Sequence, residues 1–346
     1  STTAWMKAKP EWAKGSKLIR FTPRFNPDVN GYWMCDIGRF DYHWIEGDER
    51  LRRPLERDAS GAQTPVSWRD VLTRLGDRLG PLSELGPAAL RFLVSAHASH
   101  EEMFLFSRLA SPASLCATWS VTEKPQPPGS QFKVPAEDAP NVAGARMFGI
   151  ATDLMALRAD IGAGGVAALY VFDPGPDGSL GDTRWIRDAR ASGRIKELIV
   201  QGVVATDLSR AADVVLPGAT SLEKEASYTN DQGRLQGAIR AMAPPGEAME
   251  DWRILVNLAA ALGVRLEYSS AAEVRDAIAA GVPELKDIAA LMFGRPVSAE
   301  HWLKASNPSE RWKWDFMFQD LPPIKGNLDP SALPAPPGLI PLKEIK

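Results

Sequence analysis

The middle of this chain alternates short apolar runs with amphipathic segments, and that alternation limits its fold more than any other feature. RFLVSA, AALYVFD, ELIVQGV and AADVVLP are short runs rich in β-branched and aromatic residues, the pattern of strands buried on both faces. Between and after them lie SHEEMFLFSRLA, TRWIRDARASGRI and AMEDWRILVNLAAALG, whose apolar residues recur at helical spacing. Strands that alternate with helices pair in parallel through right-handed crossovers, so the expected class is α/β with a doubly wound, mainly parallel sheet. VSWRDVLTRLGDRLGPL adds a helix with Val66, Trp68, Val71, Leu72, Leu75 and Leu79 on its apolar side, stopped by Gly80 and Pro81. In SHEEMFLFSRLA, Ser99 is the expected cap, with Glu101 and Glu102 in the first turn where the helix dipole favours them. MFGIATDLMALRADI reads as helical, and AMEDWRILVNLAAALG ends at Gly263.

Outside this core, KLIRFTPRFN alternates as a strand and is closed by the turn NPDVNG. The expected organisation is a small irregular/β amino-terminal lobe over 1–60, an α/β domain over 61–295 and a carboxyl-terminal arm over 296–346. A Pro-rich surface loop is expected over about 120–145. The arm carries Trp302, Trp312, Trp314, Phe316 and Phe318 ahead of a proline-dense tail, and is expected to dock on a partner.

The net charge of −3, with no block of Lys or Arg, excludes a nucleic-acid surface. The longest apolar runs, such as IGAGGVAALYVF, are too short to span a bilayer, and no secretory signal opens the chain. Membrane association is therefore expected only through partner proteins. Two cysteines, Cys35 and Cys116, cannot form a disulfide framework and point to a reducing compartment. His97 and His100 have no third ligand nearby and are assigned structural roles. GxxxxGK[ST], GxSxG and HExxH are absent, and the glycines of IGAGGVAALYV precede a strand rather than follow one, so the dinucleotide fingerprint fails on context.

AADVVLP is followed by a long polar stretch, GATSLEKEASYTNDQGRLQ, in the position where α/β proteins place ligand-binding loops. Glu223 and Glu225 in its EKE run read as a solvated helix face. TNDQGR reads as an organised turn, with Asn and Gly forming it and Arg234 tying carboxylates or carbonyls together.

RFNPDVNGYWMCDIGRFDYHWI, residues 24–45, and ATDLSRAADVVLPGATSLEKEASYTNDQGRLQGAIRAMAPPGEAMEDWRIL together resemble the molybdopterin oxidoreductase family. Within it they are most similar to the iron–sulfur subunit of NADH-quinone oxidoreductase, the bacterial form of respiratory complex I, that shares this fold. The resemblance covers most of 16–263 and implies a molybdopterin-oxidoreductase-type sheet. It assigns Cys35 as the last ligand of a 4Fe-4S cluster whose other thiolates belong to a Cys-x-x-Cys-x-x-x-Cys segment upstream. The chain is accordingly expected to be the carboxyl-terminal part of a longer subunit, or to descend from one that lost its cluster domains. Asp213, Asn230, Gly233 and Arg234 fall on positions that cradle the pterin cofactor in cofactor-carrying relatives. Where the family commonly has Gly-x-Asn-Pro this chain reads FDPGPDG, and Asp173 and Asp177 would repel a diphosphate. The expectation is a retained scaffold without molybdopterin and without a complete active site. It would be an electron-transfer subunit of an NADH-oxidising, quinone-linked respiratory complex, peripheral on the cytoplasmic face of the inner membrane, with other subunits as partners. The alternatives are a molybdopterin-dependent enzyme such as a formate dehydrogenase, and a non-catalytic assembly module.

Overall fold

The computed structural model describes residues 2–7, 17–24, 26, 28–31, 33–124, 135–291 and 293. The arm expected over 296–346 lies outside the described residues, as does part of the Pro-rich loop. Two compact units are distinguished, a smaller one containing Phe21–Arg39 and a larger one containing Phe40–Val297.

The amino-terminal elements are β1 (Thr2–Met6), β2 (Leu18–Pro23) and a short helix α1 (Asp36–Phe40). The NPDVNG turn forms as expected: Asn26 and Gly31 exchange backbone hydrogen bonds of 3.1 and 2.7 Å, with Gly31 at φ +52°. The larger unit continues with β3 (Leu55–Arg57), β4 (Gln63–Pro65), α2 (Trp68–Glu84), β5 (Leu90–Ser95), α3 (His100–Leu109) and β6 (Leu115–Thr118). Next come α4 (Val142–Met147), α5 (Met155–Gly162), β7 (Val166–Asp173), α6 (Arg184–Ala191), β8 (Ile195–Gly202), α7 (Asp207–Ala211) and β9 (Val214–Pro217). The hairpin β10 (Ala226–Thr229) and β11 (Leu235–Ala238) follows, then α8 (Asp251–Ala261) and α9 (Ala271–Gly281).

Among the described residues, a sheet of seven strands ordered β4-β3-β9-β8-β7-β5-β6 organises this unit. Its neighbours from β9 to β6 are parallel, while β3 and β4 add an antiparallel edge. β3 comes from the segment assigned above to the amino-terminal lobe, and its pairing with β9 carries that segment into the sheet. The register sorts residues onto two faces. Phe92, Tyr170, Ile199 and Val214 lie in one row and face a core built with α2, α3, α8 and α9. Leu93, Val171, Val200 and Val215 lie in the adjacent row and face a second core with α5, α6 and α7. Helices cover both faces, so the sheet is doubly wound and mainly parallel, the arrangement the alternating runs imply.

Two boundaries differ from the sequence reading. α2 does not stop at Gly80 and Pro81 but runs on to Glu84. Proline removes one backbone donor, and the packing of Leu79 and Leu82 against the core outweighs that local loss. MFGIATDLMALRADI is helical only from Met155, in α5: it starts on the last residue of α4, and Gly149 at φ +64° turns the chain after that helix.

α2 also shows where backbone approach dictates sequence. A Cβ on Gly76 would lie 2.5 Å from the carbonyl oxygen of Ala261, in α8, whereas one on Gly80 would meet nothing within 4 Å. Gly76→Ala is therefore expected to lower stability by about 1–3 kcal/mol through forced separation of the helices. Gly80→Ala is expected to raise it by roughly 0.5–1 kcal/mol through helix propensity. Urea unfolding of the two variants, compared at unchanged m, checks the contrast.

Candidate functional site: the carboxyl ends of the parallel strands

From β5 the chain steps to β6 on one side and then returns to place β7 on the other. The order reverses between β5 and β7, and the crevice outside the carboxyl ends at such a point is where open α/β sheets bind ligands. The loops after β5 and β7 meet here. His97 lies against the second loop: a Cβ on Gly175 would come 2.9 Å from His97 Cγ and 2.7 Å from Ser179 Cβ. Ser95 Oγ accepts a 3.2 Å bond from the His97 amide and lies 3.3 Å from its Nδ1. The Asp173 carboxylate accepts from the Gly175 amide at 3.3 Å and from Ser179 Oγ.

Burial governs the charge state of this corner. It pushes Asp173 up to about 7, against the Ser179 and Gly175 hydrogen bonds and with help from Asp177. It also pushes His97 down to about 4, with Asp138 pulling weakly the other way. Beside the corner, a cleft of about 500 Å³ lies between the end of β6 and the loop leading to α6, lined among others by Trp119, Thr183 and Trp185. The Arg158 guanidinium stacks 4.4 Å from the Trp185 ring centre on the cleft wall.

Behind these loops is a buried polar layer, and it corrects the reading of EKE as a solvated face. Glu223 and Lys224 are 0% and 1% exposed. Glu223 pairs with Arg50 at 2.7 Å. Lys224 Nζ bonds Glu102 and, at 2.7 Å, Asp251. Asp251 also accepts from Gln201 Nε2 at 2.7 Å and from the Ala219 amide at 3.2 Å, and Gln201 Oε1 accepts from Tyr170 Oη at 2.5 Å. Arg275 bridges Glu101, at 3.0 Å, and the half-exposed Glu225. Ser99 caps α3 as expected and forms a full capping box with Glu102, and Glu101 and Glu102 stand in the first turn as expected, where they are buried and ion-paired. A Cβ on Gly218 would lie 2.1 Å from Asp251 Oδ1, so glycine is required there.

This layer pins the hairpin to α3. His100 contacts Ser227 Oγ at 3.1 Å and Thr229 Oγ1 at 3.0 Å through its two ring nitrogens, and burial pushes it down to about 3 against the Ser227 bond. The Glu101 carboxylate accepts from the Ser227 amide at 3.0 Å. His100 is structural, as its spacing implied, and among the described residues no group of three or more His, Cys, Asp or Glu could hold a metal.

The four residues expected at the cofactor position separate into two places. Asn230, Gly233 and Arg234 form the hairpin turn: Asn230 Oδ1 accepts from the Gln232 and Arg234 amides at 3.1 and 2.8 Å, and Gly233 sits at φ +76°. Asp213 lies at the amino end of β9. Its carboxylate accepts from Arg190 Nε and Nη2 at 2.6 and 2.5 Å and from the Leu198 amide at 2.8 Å, none of them in the hairpin. In the smaller unit Cys35 is exposed, and its Sγ accepts from the Gly38 amide at 3.3 Å. Cys116 is a core residue of β6, 3.6 Å from Arg91 Nη2, and burial raises its thiol.

A 4Fe-4S cluster takes four thiolates, and of the two cysteines one is buried in a strand. Beside Gly175 the space is filled by His97 and Ser179, and the Gly175 amide is turned onto Asp173, so the corner does not fit a diphosphate. Partnerless buried atoms remain at Arg50 Nε and Nη1, Thr220 Oγ1 and Glu223 Oε1.

Comparison with known proteins places this sheet. Residues 143–261 match the family model described as Molybdopterin oxidoreductase. The F420-dependent formate dehydrogenase subunit alpha of Methanocaldococcus jannaschii is 34% identical over 122 residues, 35% of this chain and 18% of that protein. The NADPH-Fe(3+) oxidoreductase subunit alpha of Geobacter sulfurreducens is 36% identical over 131 residues, 38% of this chain and 15% of that protein. The mitochondrial NADH-ubiquinone oxidoreductase 78 kDa subunit of Neurospora crassa is 42% identical over 79 residues, 23% of this chain and 11% of that protein. The aligned stretches thus span less than a fifth of these relatives. Among solved structures, acetylene hydratase from Pelobacter acetylenicus superposes with a TM-score of 0.52 at 10% identity, covering 80% of this chain and 69% of that one, a likeness of fold. Residues 143–261 thus resemble the molybdopterin oxidoreductase family in sequence, and the doubly wound, mainly parallel sheet around them is consistent with that fold.

Proposed function

We propose that the chain is a scaffold and electron-transfer part of a multi-subunit oxidoreductase, similar to the iron–sulfur subunit of an NADH:quinone oxidoreductase, built on a cofactor-type domain that binds no molybdopterin. The observation that carries this reading is the filled switch point. His97, Gly175 and Ser179 pack against one another, and the amide that could face a phosphate is spent on Asp173. Asn230, Gly233 and Arg234 are then a vestigial cofactor loop whose polar groups serve the hairpin, and Asp213 serves the Arg190 ion pair. Cys35, exposed and with its sulfur already accepting a backbone N–H, would supply one thiolate to a 4Fe-4S cluster completed by upstream cysteines; such a cluster carries single electrons. Among the described residues no helix is long and apolar enough to cross a membrane, so attachment to a membrane complex would run through partner subunits.

A second reading, a molybdopterin-dependent enzyme such as a formate dehydrogenase, draws on the 500 Å³ cleft beside the switch point. Elemental and pterin analysis separates the two: the expected result is no molybdenum, tungsten or releasable pterin, and about one metal per chain with a fluorescent pterin would favour the enzyme.

Iron reconstitution tests the role of Cys35. The 346-residue chain is expected to form no stable four-iron absorption band. A version extended into an upstream Cys-x-x-Cys-x-x-x-Cys segment is expected to show the band and to lose it on Cys35→Ala. A stable cluster in the shorter chain would overturn the assignment.

A further inference from the structure

The buried polar layer does not balance. Arg50, Lys224 and Arg275 supply its positive charge, and Glu101, Glu102, Glu223 and Asp251 its negative charge, all of them at most 5% exposed. Arg50 is committed to Glu223, and Arg275 to Glu101 and Glu225. That leaves two buried carboxylates, Glu102 from α3 and Asp251 from α8, to share the single ammonium of Lys224. The other titratable neighbours offer no compensating charge: Tyr170 on β7 and Tyr228 on β10 are phenols that burial pushes up, and His100 is held neutral. An unmatched negative charge at this depth is far more costly than a neutral carboxylic acid.

The two carboxylates differ in support. Besides Lys224, Asp251 accepts from Gln201 Nε2 and the Ala219 amide, whereas Glu102 accepts, among the described residues, only from the Ser99 amide. Each added donor favours the ionised form, and Glu102 has the fewer of them. We propose that the layer is a proton-binding site in which Glu102 holds one proton in the folded chain around neutrality and releases it to solvent as the solution turns alkaline. Burial pushes Glu102 up to about 7, with Lys224 opposing and Asp251 adding to the effect.

The direction of the stability effect follows. An unfolded glutamate loses its proton near 4.5, while the folded Glu102 keeps it to about 7, so its contribution is full at low pH and is lost as the pH rises between those values. Asp173 acts in the same sense, and the buried His97 and His100 act in the opposite one up to about 6.5. A whole-chain melting curve mixes these contributions. The decisive measurements are the Glu102 titration itself and the difference between wild type and a variant.

The experiment is a pH titration of the full chain carrying glutamate labelled with carbon-13 at the carboxyl carbon, repeated on Glu102→Gln. The expected result is one resonance with a midpoint between about 6 and 8, absent from Glu102→Gln, its acid-to-base ratio changing ~100-fold over two pH units. Wild type should also lose stability relative to Glu102→Gln between pH 5 and 7.5. Persistence of the neutral-range resonance in Glu102→Gln overturns the assignment, as does a midpoint below about 5.5. Should Glu102→Gln not fold, sequential assignment of the wild-type Glu102 carboxyl carbon decides the matter alone.

Discussion

A lysine ammonium enclosed between two carboxylates holds the larger unit together. Lys224 reaches Glu102 on α3 and Asp251 on α8, and Asp251 passes the connection through Gln201 to Tyr170 in the middle of the sheet. Helix, crossover segment and sheet thus share one polar junction inside an otherwise apolar core. An ammonium and two carboxyl groups are withdrawn from water to make it, and that desolvation cancels much of their mutual attraction. What the junction secures is position. An apolar packing could slide or repack, but Lys224 reaches both Glu102 and Asp251 only with α3 and α8 in these positions, so other placements of either helix leave buried polar groups unpaired. Gly218 is a direct consequence, since only a residue without Cβ leaves room for Asp251 to reach the ammonium.

The sheet was legible because its strands are buried on both faces and announce themselves as continuous apolar runs. Each of AALYVFD, ELIVQGV and AADVVLP forms β7, β8 or β9 with the expected parallel neighbours. The short β6 and the hairpin strands carry no such signal. LCAT is too brief to show a period, and ASYT and LQGA are too polar to separate from a loop. α2 overruns its apparent stop because propensity is local, whereas the packing of Leu82 is decided by helices distant in sequence. The EKE run misleads for a similar reason. A window of sequence shows the charge of Lys224 but not its partners, which stand 122 and 27 residues away, or Arg50, 173 residues from Glu223.

The candidate site was legible in a narrower way. Asn230 and Gly233 make a turn, as their residue types require, and Arg234 closes it through its amide. That Asp213 stands apart from them could have been inferred: it precedes the apolar run of β9 and so marks the amino end of that strand, opposite the loops. The filling of the switch point could not. FDPGPDG shows two acidic residues, and their formal charge alone points to repulsion of a diphosphate. Burial raises Asp173 to about 7, so at neutral pH its charge is only partial, while the close contacts at Gly175 and the bond from its amide to Asp173 are not visible in the residue types.

These features share one physical origin. The carboxyl ends of parallel strands gather loops whose backbone and side-chain polar groups must be satisfied, by a bound ligand, by water or by one another. Here several of the described groups are satisfied internally: Asp173 by Ser179 and Gly175, Asp251 by Lys224, Gln201 and Ala219, His100 by Ser227 and Thr229. A groove whose donors already have acceptors offers a charged guest little gain for the bonds it must break. Self-satisfaction of this kind turns strand-end polar groups into cross-links between the layers of the sheet and its helices.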